Sequence, residues 1–558
     1  MAEPGAATAA AYADRLLASL AAAGAPDVVV CPGSRSQALA LAAARLDREG
    51  ALHLHVRVDE RAAAFLALGL ARETGRPAAI VVTSGTAVAN LHPAMLEAHH
   101  ADVPLIAITA DRPAELQGIR ANQTARQPGI FGDAARVVLD VDADALTDPE
   151  GDAERAVRAA LGWREGAHTE PGPVQLNVAL REPLSGGEVA VASPVARVER
   201  PPLGTSALRA APRTVVIAGA DAGEGAAALA EAIGAPLVAE PTSRARTGPH
   251  AVPHGRDVLA ALGAEAERVV VVGHPTLARA SAALLRREDL EVVVIGRAGQ
   301  DNVRGGGATT VLTGRVEVEP VDDPDAPGYA DWTARWVRAG RELAAARDVE
   351  PAPDSEQGRA AYARAELAEG RLPITRRDLV TAVWDRTWPH DRLVVAASRL
   401  IRELDAHAQP KAVVAHANRG LAGIDGTVAT ASGVALAHAR EQAGGCTRLL
   451  IGDLALLHDA GGLLVPPGEE RPMLQIIVGD DRGGSLFDLL EVAGTAHAGD
   501  FERVQRTPQD VDLAHLAAAY GWPHERVTDR AGLRRALSQA RPGIIVAALV
   551  DDEQAGGL

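Results

Sequence analysis

Short β-rich runs alternate with helix-length amphipathic windows along most of this 558-residue chain, a pattern that restricts it to parallel-sheet α/β architecture. Over residues 8–185 the strand-like runs fall at 28–31, 52–56, 78–83, 105–109 and 174–178. Short strands separated by helix-length segments build a parallel sheet covered on both faces. In such sheets ligands bind at the loops leaving the carboxyl ends of the strands.

The alternation is interrupted twice. A stretch over 186–213, with Pro194, Pro201, Pro202 and Pro212, reads as a linker. Strand-like runs resume at 214–218, 269–272 and 291–295. Gly219, Gly223 and Gly225 follow the first of these, but they lack dinucleotide spacing and an acidic partner, so they read as a structural turn. A polar, alanine-rich region over about 322–370 then leads to a third alternating segment that runs from about 374 to the end.

That last segment echoes the first. Arg76-Pro-Ala-Ala-Ile-Val-Val-Thr-Ser-Gly-Thr, a helix, and Pro104-Leu-Ile-Ala-Ile-Thr-Ala-Asp parallel Arg448-Leu-Leu-Ile-Gly-Asp-Leu, a helix, and Pro472-Met-Leu-Gln-Ile-Ile-Val-Gly-Asp. Pro171-Gly-Pro-Val-Gln-Leu-Asn-Val likewise resembles Arg541-Pro-Gly-Ile-Ile-Val-Ala-Ala. The expectation is three doubly wound α/β domains with mainly parallel sheets, at 1–185, 214–350 and 351–558, of which the outer two are related. At this length one core is too few, and about three suit usual domain sizes.

The net charge of −17 argues against nucleic acid or an anionic membrane as the main partner, since phosphate binding rests on basic surface. Lys411 is the only lysine, and the heavy use of alanine and arginine reads as coding bias. A single arginine therefore carries little weight. Cys31 and Cys446 lie far apart, indicating neither a disulfide framework nor a thiolate zinc site, and fit a reduced cytoplasm. Residues 1–23 carry no basic leader and read as a surface helix. No run of about 18 apolar residues suggests an integral membrane segment.

Two distant segments carry the chemistry. Gly452-Asp453 closes one strand-like run, and Gly479-Asp480-Asp481-Arg482-Gly483-Gly484 closes the next. A helix joining neighbouring parallel strands brings Asp453 and Asp481 to one sheet edge. Two carboxylates there suit Mg²⁺, or Mn²⁺ in its place, which completes its shell with phosphate oxygens and water. Gly483 offers a backbone carbonyl where a side chain would crowd a diphosphate. Singly, Asp453 is a helix cap and Asp481 a turn residue. Together with Glu60, in Arg57-Val58-Asp59-Glu60-Arg61, they read as a metal–diphosphate site with a partner carboxylate. A glutamate in a first helical turn is ordinarily a dipole partner. Its alternative role is to hydrogen-bond the pyrimidine ring of thiamine diphosphate and promote the form that activates the thiazolium carbon.

Beyond these segments, Cys31-Pro-Gly-Ser-Arg-Ser-Gln, Val58-Asp-Glu-Arg-Ala-Ala-Ala-Phe, Thr83-Ser-Gly-Thr-Ala-Val-Ala-Asn, Thr109-Ala-Asp-Arg-Pro-Ala-Glu-Leu, Ala121-Asn-Gln-Thr and Asn418-Arg-Gly-Leu-Ala-Gly-Ile-Asp-Gly are informative. They resemble the 2-succinyl-5-enolpyruvyl-6-hydroxy-3-cyclohexene-1-carboxylate synthase family of menaquinone biosynthesis. The resemblance spans both outer domains and is weak through the middle one. It implies thiamine diphosphate-dependent decarboxylation of 2-oxoglutarate and addition of the resulting succinyl carbanion equivalent to isochorismate. It also implies a homo-oligomer, dimer or tetramer, with Glu60 of one subunit facing Asp453 of another.

By the same resemblance, Glu60 is catalytic and touches the cofactor together with Ser84, Gly85, Gly423, Ile424, Gly452, Asp453 and Leu454. Ile424, otherwise core by default, would be the wedge that keeps the cofactor bent. Asp453, Asp481 and Gly483 would hold the metal. Both substrates are dicarboxylates, which guanidinium groups bind in a planar, bidentate way. Arg35, Arg112, Arg279, Arg402 and Arg419 are the expected ones, with Ser34, Asn122, Gln123, Ser398, Leu486 and Phe487 completing the substrate pocket. Ser398 and Arg402 share one helical face.

The chain departs from the family pattern in two places. A basic pair is common in the middle domain, where this chain has Ala278-Arg279, and an asparagine or aspartate often stands where Arg482 precedes Gly483-Gly484. His99 and His100 sit in a predicted helix and read as packing residues. The competing functions are an acetolactate-synthase-like carboligase or 2-oxoacid decarboxylase, and a non-catalytic paralogue.

Overall fold

The computed structural model describes residues 8–143, 148–164, 167–186, 191–202, 204–296, 309–319, 329–345, 356–441 and 444–551. Parts of the 186–213 and 322–370 stretches lie outside the described residues.

The first sheet contains β1 (Asp27–Val30), β2 (His53–Val56), β3 (Ala78–Val82), β4 (Leu105–Asp111) and β5 (Val137–Asp142). A two-stranded hairpin, β6 (Trp163–Arg164) and β7 (Ala167–His168), precedes its last strand, β8 (Pro173–Ala179). All its pairings are parallel, in the order β2-β1-β3-β4-β8-β5. The central strands β1, β3, β4 and β8 are buried along their whole length, as continuous apolar runs in a sheet covered on both faces require. The marginal β5, read from sequence as no strand, is only partly buried and carries Asp140 and Asp142. The Thr8–Ala23 helix does more than lie on the surface: Leu16, Leu17 and Leu20 are core residues, and the Tyr12 hydroxyl donates to Asp152 at 2.8 Å.

Within the stretch read as a linker, β9 (Thr205–Arg209) forms a strand. The middle sheet follows with β10 (Thr214–Ala218), β11 (Leu237–Ala239), β12 (Arg268–Val272), β13 (Glu291–Gly296) and β14 (Thr309–Thr313), in the parallel order β11-β10-β12-β13-β14. β15 (Arg315–Glu319) turns back to pair with β9.

The third sheet contains β16 (Ile374–Thr375), β17 (Arg392–Val395), β18 (Ala415–His416), β19 (Thr447–Gly452), β20 (Leu474–Asp480), β21 (His524–Val527) and β22 (Gly543–Val550). Its path β18-β17-β19-β20-β22-β21 repeats the first sheet's order strand for strand, and β16 pairs with the end of β22. The echoed segments occupy equivalent places: β3 matches β19, β4 matches β20, and β8 matches β22.

Two compact units emerge. One comprises Met1–Pro202, Asn418–Ala443 and Asp459–Pro472, and the other Leu203–Ala417, Gly444–His458 and Met473–Leu558. In the first unit the Glu60–Thr74 helix is buried from Ala62 to Ala71, and the Thr427–Glu441 helix from Thr427 to His438. They cross at Gly69 and Gly433. A Cβ on Gly69 would lie 2.1 Å from the Thr430 carbonyl oxygen, and one on Gly433 would lie 2.2 Å from that of Leu66. Two long all-buried helices can approach this closely only where side chains are missing.

Gly433→Ala should therefore overpack the crossing and destabilise the protein by about 1–3 kcal/mol, read as a lower denaturant midpoint. A midpoint equal to wild type would show that the crossing tolerates a side chain.

Candidate active site

In the first unit the strand order reverses between β1 and β3, which opens a crevice at their carboxyl ends. Cys31-Pro-Gly-Ser34-Arg35 leaves β1 and Thr83-Ser84-Gly85 leaves β3. Gly33 lets the two loops touch, since a Cβ there would sit 2.3 Å from that of Thr83. The Arg35 backbone N–H donates to Thr83 Oγ1 at 3.2 Å. The Arg35 side chain is 4% exposed; it donates to the Leu180 carbonyl at 2.9 Å and pairs at 3.2 Å with Glu182, which is 75% exposed. Its Nε is buried without a hydrogen-bond partner among the described residues, as are Arg112 Nε and Ser84 Oγ.

Buried amides hold these loops. Gln127 accepts from the Gly85 N–H at 2.9 Å and donates to the Ala110 carbonyl and Asn177, while Asp111 accepts from the Arg112 N–H at 2.7 Å. Gln123 lies against Gly85 with φ 56°; Asn122, Gln123 and Ser34 are exposed. His99 bonds the Ala134 carbonyl at 3.1 Å and stacks edge-on with His100, a packing role.

Glu60 opens its helix half-buried. Asp59 serves as the cap, accepting from the N–H groups of Arg61 and Ala62. The Glu60 carboxylate is thereby left with no hydrogen-bond or ion-pair partner among the described residues. In the same unit the 418–426 loop places Asn418 and Arg419 in buried positions, followed by Gly423 and Ile424. Ile424 is 37% exposed and so is not a core residue. Gly426, at φ 62°, presses on the Phe65 ring, where a Cβ would lie 1.9 Å from Cγ. Asp459 ties the two crossing helices at their starts: it accepts from the Ala429 N–H at 3.1 Å and lies 3.5 Å from the Arg61 guanidinium. Burial pushes its carboxyl up to about 6.

In the second unit the equivalent reversal lies between β17 and β19. Ser398 follows β17 at the N-cap position of the Arg399–His407 helix, without a side-chain capping bond, and Arg402 donates back to the Ser398 carbonyl at 3.2 Å. Gly452 faces Ser398 across the crevice, its notional Cβ 4.0 Å from the hydroxyl. Gly452 and Gly479 pair in register, so Asp453 and Asp481 emerge at one sheet edge. Asp453 is 6% exposed and accepts from the N–H groups of Leu454 at 2.8 Å and Gly483 at 2.9 Å. Burial and the neighbouring Asp481 push its carboxyl up to about 6.

Asp481 is held by Arg376, with Nε at 2.9 Å and Nη2 at 2.8 Å, and by the Ser485 hydroxyl, all on Oδ2. Arg482 stands at φ 57°, which explains why asparagine or aspartate suits that position and arginine strains it. Leu486 and Phe487 are half-buried in the following turn. Arg279 is exposed at the start of its helix, behind a turn that Glu240 fixes by accepting from the Thr276 and Leu277 N–H groups, both at 2.7 Å.

No cluster of three or more His, Cys, Asp or Glu side chains among the described residues is arranged to hold a metal. Two carboxylates at one sheet edge are an incomplete oxygen set of the kind Mg²⁺ completes with phosphate and water. Asp453 has no cationic partner among the described residues, and Arg376 and Ser485 both engage Asp481 through Oδ2 alone, so carboxylate oxygens remain that fit a divalent cation. Sequence reasoning missed Gln127, Glu240, Arg376, Asp459 and Glu97, whose partners are distant in the chain. No local signal marks them.

In metal-free protein the raised Asp453 carboxyl favours folding when protonated. This contribution is fully present below the ordinary aspartate value of about 3.9 and is lost as pH rises through about 6. The stability of wild type relative to Asp453→Asn should accordingly fall between pH 4 and pH 7, tracked by denaturant midpoints. A difference that does not change with pH would show that Asp453 titrates normally.

Residues 10–134 match the family profile of the thiamine pyrophosphate enzyme, N-terminal TPP binding domain. Two 2-succinyl-5-enolpyruvyl-6-hydroxy-3-cyclohexene-1-carboxylate synthases are each 50% identical to this chain. That of Leifsonia xyli subsp. xyli covers 96% of this chain and 95% of its own, and that of Clavibacter michiganensis subsp. michiganensis covers 94% of each. The synthase of Kineococcus radiotolerans is 46% identical over 94% of this chain and 92% of its own. The crystal structure of benzoylformate decarboxylase from Polynucleobacter necessarius superposes with TM-score 0.67 over 98% of this chain and 99% of that one, at 16% identity, a likeness of fold. With relatives this similar over nearly its whole length, the chain belongs to the 2-succinyl-5-enolpyruvyl-6-hydroxy-3-cyclohexene-1-carboxylate synthase family.

Proposed function

We propose that this protein decarboxylates 2-oxoglutarate and adds the resulting succinyl unit to isochorismate, releasing CO₂ and forming 2-succinyl-5-enolpyruvyl-6-hydroxy-3-cyclohexene-1-carboxylate in menaquinone biosynthesis. Thiamine diphosphate, when bound, supplies the nucleophilic carbon and the electron sink that this chemistry needs. The observation that carries the reading is the Glu60 carboxylate, half-buried at a helix start and left without a partner among the described residues. Its free oxygens suit a hydrogen bond to a cofactor ring nitrogen, where it would hold or release a proton.

In this reading Ser84, Gly85, Gly423 and the partly exposed Ile424 contact the cofactor beside Glu60, while Gly452, Asp453 and Leu454 receive the diphosphate. Asp453, Asp481 and the Gly483 carbonyl hold Mg²⁺ or Mn²⁺. Arg35, Arg112, Arg279, Arg402 and Arg419 bind substrate carboxylates, with Ser34, Asn122, Gln123 and Ser398 as polar contacts and Leu486 and Phe487 as apolar wall. The Nε atoms of Arg35 and Arg112, buried with no hydrogen-bond partner among the described residues, support this, because a desolvated guanidinium seeks an anion. The family resemblance favours a homodimer or tetramer in which Glu60 and Asp453 of different subunits serve one cofactor, acting in the cytoplasm. Among the described residues no helix is long and apolar enough to cross a membrane.

Purified protein with Mg²⁺ and thiamine diphosphate should consume 2-oxoglutarate slowly alone and quickly with isochorismate, yielding the named product by mass spectrometry. Equal turnover of pyruvate without an acceptor would instead point to an acetolactate-synthase-like enzyme.

Glu60→Gln removes charge with almost no change of volume. It should lower turnover by about two orders of magnitude or more while leaving the circular dichroism spectrum intact. Undiminished turnover would remove Glu60 from the chemistry.

A further inference from the structure

The 418–424 loop is gripped from behind by one side chain that sequence reasoning passed over. Glu97 lies on the His92–His100 helix and is 3% exposed. Its Oε1 accepts from the Gly420 N–H at 2.8 Å and its Oε2 from the Leu421 N–H at 2.7 Å. The Arg72 guanidinium, on the Glu60–Thr74 helix, supplies countercharge 3.8 Å away, with both side chains only 4% exposed. Gly420 completes the fit. A Cβ there would meet the Glu97 carbonyl oxygen at 2.7 Å and the Ala101 nitrogen at 3.0 Å, so the loop backbone rests directly on the helix end.

The clamped pair, Gly420 and the 53% exposed Leu421, directly follows the buried Arg419, and Ile424 stands three residues beyond Leu421. A buried carboxylate that accepts two adjacent backbone N–H groups fixes the local peptide plane, because each charge-assisted bond constrains both distance and direction. We infer that Glu97 is a positioning residue for the reaction: it sets the path of the 418–424 loop and thereby aims the Arg419 guanidinium at a substrate carboxylate. This rests on the reading of Arg419 as a substrate-binding residue. Glu97 itself touches no substrate.

Glu97→Gln tests the clamp with little change of size. An amide nitrogen replaces one acceptor oxygen and sets N–H against N–H at Gly420 or Leu421. In the holoenzyme KM for one dicarboxylate substrate should rise about tenfold, the scale of one charged hydrogen bond. The kcat should stay near wild type, while the thermal midpoint falls because the buried Arg72 loses its countercharge. Arg419→Ala should raise KM for the same substrate, and the double variant should be no worse than Arg419→Ala alone.

Multiplying effects in the double variant, or a normal Glu97→Gln enzyme beside an impaired Arg419→Ala enzyme, would overturn the proposal alone. An Arg419→Ala enzyme with unaltered KM for both substrates would sink the reading of Arg419 and the proposal together. If Glu97→Gln fails to fold, hydrogen exchange of the wild-type holoenzyme decides. Slow exchange at the Gly420 and Leu421 amides supports the clamp, and exchange at the rate of an exposed loop overturns it.

Discussion

The crossing of the Glu60–Thr74 and Thr427–Glu441 helices at Gly69 and Gly433 is the contact on which the rest of the first unit depends. It joins segments from opposite ends of the chain by backbone-to-backbone approach, and a close-packed interior allows such a contact little latitude. Everything at the starts of the two helices follows from it. Glu60 opens one helix and the 418–426 loop enters the other, while Asp459 and the Phe65–Gly426 contact hold those starts in register.

The second organising element is the repeated strand order of the outer sheets. Each sheet has a switch point, between β1 and β3 in one and between β17 and β19 in the other, and loops that carry candidate site residues leave the strands there. In one the loops carry Arg35 and Ser84. In the other they carry Ser398 and Asp453. The same topology thus presents arginine and hydroxyl groups in one crevice and a carboxylate pair in the other, so the division of labour arises from loop residues and not from a difference of fold.

Much of this was legible in the chain. Buried strands announce themselves as apolar runs, so β1, β3, β4, β8, β10, β12 and β13 fall where periodicity places them, and the textual echo of β3, β4 and β8 with β19, β20 and β22 became a shared topology. The partly buried β5 was missed, because Asp140 and Asp142 break its run, and β9 was hidden among prolines. At the site, the pairing of Gly452 with Gly479 gave the spacing of Asp453 and Asp481 its expected consequence. Glu97 and Glu240 were invisible for a physical reason: each looks like an ordinary glutamate until the fold delivers backbone N–H groups to it, in one case from more than 300 residues away. Ile424 illustrates the converse, a residue type that signals core but stands partly in solvent.

Arg35 carries a final implication. Its guanidinium is almost wholly buried, yet the carboxylate it pairs with, Glu182, is mostly in water and tethered by a single contact. Stripping a cation of its hydration is among the largest penalties in protein energetics. Here that penalty falls on folding, before any ligand arrives, and an incoming anion has only a loosely held, well-hydrated rival to displace.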